Sequence, residues 1–236
     1  MNRQNASQDE LVWEFFDHRG EGYFVEVGAN HPQQGSQTWL LEKAGWRGAL
    51  VEPQASLFEA LCQARPRSKV FRAACSAPEK TGFAELHVPG DELNGFATLE
   101  RNVDDAGIRY ERTERVGVTT LDALLAQAGN PKVDFVSLDT EGTELDVLRG
   151  FELRQHRPAL LLIEDKLQSL AKHRFLRAQG YKLVKRTELN NWYVPQEVEF
   201  RMTTLWERLK LWRKVFLGLP FRKLRHWRHT RAARAD

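Results

Sequence analysis

Short apolar runs alternate with helix-length amphipathic segments along the first 200 residues. The apolar runs predict buried strands at about 23–27, 48–52, 69–74, 133–138 and 159–163. Continuously apolar strands separated by helices are typical of a parallel sheet with helices on both faces. Two further runs, 181–184 and 192–194, are separated only by a polar turn that includes Asn190 and Asn191, so they predict a terminal antiparallel hairpin. The pattern therefore predicts an α/β fold with a mostly parallel seven-stranded sheet.

The helical segments between these strands begin and end at recognisable residues. Ser7-Gln8-Asp9-Glu10 forms a capping-box pattern, which predicts an N-terminal helix over 7–19. Further helices are predicted at 36–44, 54–64, 120–125, 142–149 and 167–178. The stretch 76–115 is less regular, with one extra strand predicted at 83–88. Because long loops in compact domains are often functional, we predict that 89–115 is a lid facing the substrate.

The composition is that of a globular protein, with 42% hydrophobic and 28% charged residues among 236. No apolar run approaches 18 residues, so no transmembrane helix is expected. The polar first residues lack the apolar core of a signal peptide. Cys62 and Cys75 form no metal or redox motif, and two thiols suit a reducing compartment. These features favour a cytoplasmic location.

Charge divides the chain into a domain, 1–200, and a basic tail, 201–236. The tail holds 11 Lys and Arg residues and two acidic residues, a net charge of +9, whereas the whole chain carries +3. At helical spacing, one apolar face of the tail would carry Leu205, Leu209, Trp212, Phe216 and Leu219. After Pro220, aromatic and leucine residues alternate with Arg222, Lys223, Arg225 and Arg228.

An apolar face flanked by cations and tryptophans describes a helix that lies on an anionic membrane surface. We therefore expect 205–228 to hold the protein peripherally at the inner face of a membrane. Packing of this helix on its own domain or on a dimer partner is the main alternative. Nucleic acid is a weaker one, although basic residues interleaved with aromatics also suit RNA. The sequence leaves the oligomeric state open.

Two predicted strands end in carboxylates one βαβ unit apart. The first runs through Glu26 into the turn of Gly28 and Asn30, and the second ends at Glu52, 24 residues after Gly28. Gly28 would let the backbone approach a ligand, and Glu52 could accept hydrogen bonds from a ribose diol. A second turn glycine, which a dinucleotide pyrophosphate requires, is missing. The pattern therefore favours S-adenosylmethionine (SAM) over NAD.

Further acids follow the two later strands. Asp139 and Glu141 follow 133–138, and Glu164 follows 159–163, so all three should meet at the carboxyl edge of the sheet. Methyl transfer to an oxygen requires an aligned acceptor and a base, and a carboxylate or His31 could serve. The same acids could hold a divalent cation such as Mg²⁺. No metal site is predicted, because no histidine or cysteine cluster accompanies them.

Three blocks resemble the FkbM-type SAM-dependent methyltransferases. They are Phe24-Val25-Glu26-Val27-Gly28-Ala29-Asn30, Leu50-Val51-Glu52-Pro53, and the run Leu138-Asp139-Thr140-Glu141-Gly142-Thr143-Glu144 that continues to Gly150. The resemblance spans about 22–195 and leaves the tail uncovered. It implies the Rossmann-like class I methyltransferase fold and SAM as cofactor. The family is known mainly for O-methylation of hydroxyls, often on sugars.

The resemblance also implies roles for individual residues. Glu26, Gly28 and Asn30 would line the methionine end of SAM, and Glu52 would hold its ribose. Ala74 and Ser76 would lie near the adenine. Asp139 and Glu141 would sit where the methyl group leaves. These roles, with Glu164 and His31 as further catalytic candidates, are expectations for the structure.

Together these patterns predict an O-methyltransferase that acts on a sugar, polysaccharide or lipid-linked glycan. Two alternatives remain at this point. One is an RNA methyltransferase with the tail as a basic arm, although nothing in the domain resembles an RNA-binding module. The other is a non-catalytic SAM-fold protein that uses the tail for assembly, and a dehydrogenase is more distant.

Overall fold

The computed structural model describes residues 7–90, 97–99, 110–165 and 170–213. Within these ranges the ten strands, in chain order, are β1 (Tyr23–Val27), β2 (Arg47–Val51), β3 (Ser68–Phe71), β4 (Ala74–Cys75), β5 (Gly82–Pro89), β6 (Tyr110–Thr119), β7 (Phe135–Leu138), β8 (Leu160–Glu164), β9 (Tyr181–Thr187) and β10 (Asn190–Pro195). The helices are α1 (Gln8–Phe15), α2 (Trp39–Ala44), α3 (Ala55–Ala64), α4 (Leu121–Gln127), α5 (Glu144–Arg149), α6 (Leu153–His156), α7 (Leu170–Ala178) and α8 (Leu205–Trp212).

Seven strands form the main sheet in the order β3-β2-β1-β7-β8-β10-β9. The first five are parallel, and the β9–β10 hairpin adds the antiparallel end. Val27 at the end of β1 pairs with Val51 of β2 and Leu138 of β7, so the three strands end at the same level. This order confirms the predicted α/β architecture with a mostly parallel seven-stranded sheet.

Helices cover both faces of this sheet because its central strands are apolar on both sides. One core contains Val25, Val136 and Leu161 with apolar residues of α4, α5, α6 and α7. The other contains Phe24, Leu50 and Leu162 with residues of α1, α2 and α3. Side chains of the strands alternate between these two cores, as the pleat requires.

A second sheet of three strands, β4-β6-β5, corrects the prediction for residues 69–115. The predicted strand 69–74 ends at Phe71, and Ala74–Cys75 pairs instead with β6. The predicted lid, 89–115, includes the first half of β6, which pairs antiparallel with β5. Residues 91–96 and 100–109 of that lid lie outside the described part of the chain. Strand β6 carries Glu111, Arg112 and Arg115 and shows no apolar alternation at its start, which is why the pattern missed it.

Two other predicted boundaries differ from the structure. Helix α1 has the predicted Ser7 capping box but ends at Phe15 instead of residue 19, because Asp17 and His18 adopt positive φ angles of 51° and 56°. Asn190 and Asn191 are not turn residues: they begin β10 and are buried.

The described part of the tail includes helix α8. Thr204 and Glu207 form a capping box at its start. The rest of the predicted amphipathic segment, from Lys214 onward, lies outside the described residues. Among the helices that the structure describes, none has the length and apolar character needed to span a bilayer.

Candidate functional site

A pocket opens at the carboxyl edge of the main sheet, where β1, β2 and β7 end. Its polar lining comes from the turns after these strands and includes Glu26, Asn30, Glu52, Asp139 and Glu141. Strands β4 and β5 of the second sheet, together with Ala97 and Leu99, contribute to its apolar wall. Ligands of open α/β sheets bind at this edge, so the pocket lies where the fold favours a binding site.

Gly28 forms the turn between β1 and the loop that follows. Its φ is +78°, and its amide donates to the Val51 carbonyl at 3.0 Å. A Cβ at this position would lie 1.8 Å from the carbonyl oxygen of Asp139. The glycine is therefore required by the close approach of the β1 and β7 turns, and not only by a ligand as the sequence had suggested. This contact fixes Asp139 beside the β1 turn.

The Glu52 side chain lies at the end of β2 and is 4% exposed. One carboxylate oxygen accepts the Asn30 amide and the other accepts the Gln54 amide, both at 2.9 Å. Burial raises the pKa of Glu52 to about 7, although these two hydrogen bonds favour the ionised form. The carboxylate is thus oriented by the backbone of both turns and retains acceptor capacity for a ligand hydroxyl.

Glu26 organises the long loop between β1 and α2. Its carboxylate accepts hydrogen bonds from the Ser36 hydroxyl at 3.0 Å, the Gln37 amide at 2.7 Å and the Thr38 hydroxyl at 2.6 Å. Burial raises its pKa, which the nearby Arg65 and these donors oppose. Glu26 lines the pocket, but its oxygens mainly hold the loop that carries Gln37 to the pocket wall.

Arg65, the residue that follows α3, also supports this loop and was not expected from the sequence. It is buried and donates to Glu42 at 2.8 Å, the Pro32 carbonyl at 3.0 Å and the Thr38 hydroxyl at 2.8 Å. No local motif signals this residue, because its partners lie 23 to 33 positions away. The loop after Asn30 therefore has a defined shape.

His31 does not join the site. Its side chain is exposed, and its Nδ1 accepts the amides of Gln33 at 3.2 Å and Gln34 at 2.9 Å. It is not among the residues that line the pocket. The histidine thus stabilises the turn that follows Asn30, and it does not line the pocket with the carboxylates that the sequence grouped with it.

The apolar side of the pocket is built from four parts of the chain. Its lining residues there are Leu57, Ala73, Ala74, Cys75, Leu86, Ala97 and Leu99. Ser76, in contrast, is buried outside the pocket lining, with its amide donating to the Thr119 carbonyl at 2.9 Å. The predicted adenine wall thus includes Ala74 but not Ser76.

Three carboxylates meet at the opposite side of the pocket. Asp139, Glu141 and Glu164 each offer an oxygen within 4.8 Å of the others. Burial raises the pKa of Asp139 well above its usual range, and the charges of Glu164 and Glu141 raise it further. Such a cluster can share a proton, or its oxygens could share a divalent cation. Glu164 belongs to this cluster without lining the pocket itself.

A buried lysine supports the cluster from behind. Lys172 of α7 bonds Glu144 at 2.9 Å and the Glu164 carbonyl at 2.8 Å, and lies 3.2 Å from Asp165. Glu144 also accepts the Gly142 amide at 2.8 Å, which orders the turn carrying Glu141. Glu144 therefore shapes the turn, as expected for an acid at a helix N-terminus.

Comparison with known families shows to which family the chain belongs. Residues 26–183 match the family described as the methyltransferase FkbM domain. The chain belongs to the FkbM methyltransferase family. No curated protein matches it.

Solved structures of related fold include methyltransferases of several kinds. The methyltransferase FkbM from Methylobacillus flagellatus KT is 17% identical, with a TM-score of 0.48 over 75% of this chain and 44% of its own. This chain therefore spans less than half the length of that FkbM structure. A putative RNA methyltransferase from Pyrococcus horikoshii gives 11% identity and a TM-score of 0.39 over 80% and 82% of the chains. The precorrin-6y C5,15-methyltransferase from Geobacter metallireducens GS-15 is 12% identical, with a TM-score of 0.41 over 79% of this chain and 85% of its own.

The pocket of this FkbM domain suits a cofactor that is apolar at one end and charged at the other. Glu52 offers a buried carboxylate to a diol, and the leucines and alanines offer a slot for a flat ring. The carboxylates at the far end suit a cationic sulfonium. The donor set therefore fits SAM, with Glu52, Asn30 and Asp139 as the polar residues that would hold it.

Proposed function

We propose that this FkbM domain is a SAM-dependent O-methyltransferase acting on a hydroxyl of a sugar, polysaccharide or lipid-linked glycan. The observation that carries the proposal is Glu52, a buried carboxylate at the end of β2 that is oriented into a pocket beside the Gly28 turn. A ribose diol is the ligand group that such an acceptor suits best.

The carboxylate cluster supports the catalytic half of the proposal. When bound, SAM supplies an electrophilic methyl group. The work of this chain's residues is then to hold the acceptor hydroxyl and to take its proton as the new carbon–oxygen bond forms. Asp139 suits that role because it lines the pocket at the end of β7, and because burial and the neighbouring carboxylates raise its pKa, which makes its ionised form a stronger base.

A hydroxyl acceptor also suits the polarity of the far end of the pocket. The Asp139, Glu141 and Thr140 side chains lie there together, and all can exchange hydrogen bonds with a polyol. Carbohydrates present several adjacent hydroxyls, so multiple acceptors in one place favour them over an apolar substrate.

Cofactor binding is the first test. Calorimetric titration of the purified chain with S-adenosylhomocysteine, alongside NADH, should show binding of the former alone. Binding of NADH, or of neither compound, would refute the cofactor assignment. Once binding is established, transfer of a labelled methyl group from SAM to a panel of glycans, glycolipids and RNA tests the acceptor class.

RNA is the competing acceptor because the tail carries a net charge of +9. If RNA is the substrate, its binding should weaken steeply as salt rises, because each phosphate contact releases counterions. Labelled methyl groups on RNA and none on the glycans would replace the proposal by this alternative.

A further inference from the structure

Helix α8 has one side on the domain and the opposite side in solvent. On the inner side, Leu211 and Glu207 line a groove with Val184 and Glu188 from β9 and the turn after it. The Thr203 hydroxyl just before the helix donates to the Val184 carbonyl at 3.4 Å. The start of the tail is therefore attached along the edge strand of the main sheet.

The outer side of α8 exposes two large apolar residues next to two cations. Trp206 is 74% exposed and Leu209 is 59% exposed. Arg213 is exposed as well, and so is Lys210, which lies at the border between this side and the groove. At 3.6 residues per turn, these four positions fall within about 100° of one another, and the direction opposite Leu211 lies between Leu209 and Arg213. We call these four residues the α8 outer face.

Burial of Trp206 and Leu209 on the domain would stabilise the folded chain, so their exposure points to an external partner. The surrounding charge indicates the kind of partner. After Arg213, the sequence adds seven Lys and Arg residues and a single acid, interspersed with Phe216, Phe221 and Trp227. A partner must therefore accept apolar side chains and positive charge over the same surface.

We propose that the α8 outer face docks the protein on an anionic lipid surface. Trp206 and Leu209 insert among the acyl chains, and Lys210 and Arg213 bind the anionic headgroups. A second copy of the chain would bring two strongly positive tails together, which their mutual repulsion opposes. RNA would satisfy the cations but would offer no apolar site for Leu209.

The position of α8 relates this surface to the pocket. Asn190 pairs with Glu164, the last residue of β8, so the β9–β10 turn lies at the carboxyl edge where the pocket opens. Glu188 of that turn lines the same groove as Lys210, and Leu189 beside it is 45% exposed. Docking would thus hold the pocket edge near the lipid headgroups. The docking inference itself does not depend on the methyltransferase proposal.

Co-sedimentation of the full chain with vesicles tests the proposal. Binding is expected to vesicles of phosphatidylcholine mixed with phosphatidylglycerol, and little to phosphatidylcholine alone. The double variant Trp206→Ser/Leu209→Ser should bind at least about tenfold more weakly, because it removes the inserted apolar area. The double variant Lys210→Gln/Arg213→Gln should bind the anionic vesicles about 30-fold more weakly, because each cation removed lowers the affinity about fivefold.

Matched controls separate this face from general effects. Phe83→Ser removes another apolar residue, 72% exposed on β5, and Arg47→Gln removes an exposed cation at the amino edge of the sheet. Both should bind vesicles like the wild type. The proposal is overturned if anionic vesicles fail to bind the wild type, or if the controls lose binding equally. Light scattering that shows a dimer broken by the Trp206→Ser/Leu209→Ser variant, or retention by RNA without any by vesicles, would also overturn it.

Discussion

Replacing Glu52 by glutamine tests the cofactor site with the smallest change in shape. Each oxygen of the Glu52 carboxylate already accepts one backbone amide, from Asn30 or Gln54 at 2.9 Å, which leaves each oxygen one further acceptor position. Glutamine keeps one acceptor oxygen and converts the other into a donor that faces the Asn30 or Gln54 amide, so one of these backbone hydrogen bonds is lost too. One charged hydrogen bond to a ribose hydroxyl is then lost, which costs about 2 kcal/mol, or roughly 30-fold in the Kd of S-adenosylhomocysteine.

The raised pKa of Glu52 adds a pH dependence to the same prediction. Its folded pKa of about 7 exceeds the ordinary value of 4.5, so the folded state holds the proton more tightly than the unfolded state. This carboxyl therefore lowers the free energy of unfolding progressively as pH rises from about 4.5 to about 7, by about 3 kcal/mol in total. Ribose hydroxyls favour the ionised form, so wild-type affinity should also rise with pH through this range.

The assay combines calorimetric titration with urea denaturation at pH 5, 6, 7 and 8. The unfolding free energy of Glu52→Gln should depend less steeply on pH than that of the wild type, because the titrating carboxyl is gone. Some dependence should remain, because Glu26 and Asp139 also have raised pKa values in both proteins. Glu59→Gln, on the exposed side of α3, is the matched control and should behave like the wild type. Unchanged affinity and an unchanged pH slope in Glu52→Gln would refute the assignment of this carboxylate.

The remaining predictions concern the turn, the loop and the base. Gly28→Ala should destabilise the chain by about 3 kcal/mol or more in urea, because its Cβ meets the Asp139 carbonyl, whereas Gly117→Ala, which has open space around it, should cost little. Arg65→Met should lower the free energy of unfolding by about 3–5 kcal/mol, because it leaves the buried Glu42 carboxylate without its ion-pair partner. It should also weaken S-adenosylhomocysteine binding, and an unchanged Tm would contradict this prediction. At saturating SAM, Asp139→Asn should slow methyl transfer about 100-fold or more, whereas His31→Ala should change the rate little. Equal rates for the last two variants would argue against Asp139 as the base.

The sequence determined the parts of this protein that depend on local patterns. Apolar runs long enough for a strand, each ending in a glycine turn or an acid, located β1, β2, β7 and β8 to within two residues. Because parallel strands end at one edge, the same runs also indicated that Glu26, Glu52 and Asp139 would lie close together. Likewise, the capping box at Ser7 required only neighbouring residues.

Tertiary structure alone decided what depends on residues far apart in the chain. Strand β6 is mostly charged at its start and becomes a strand because β5 pairs with it, since strand formation depends on the partner more than on propensity. The need for Gly28 comes from the Asp139 carbonyl, 111 positions later, and the loop after Asn30 is held by Arg65 at the end of α3. The exposure of Trp206 likewise follows from how α8 packs beside β9, a distant segment, which no local pattern encodes.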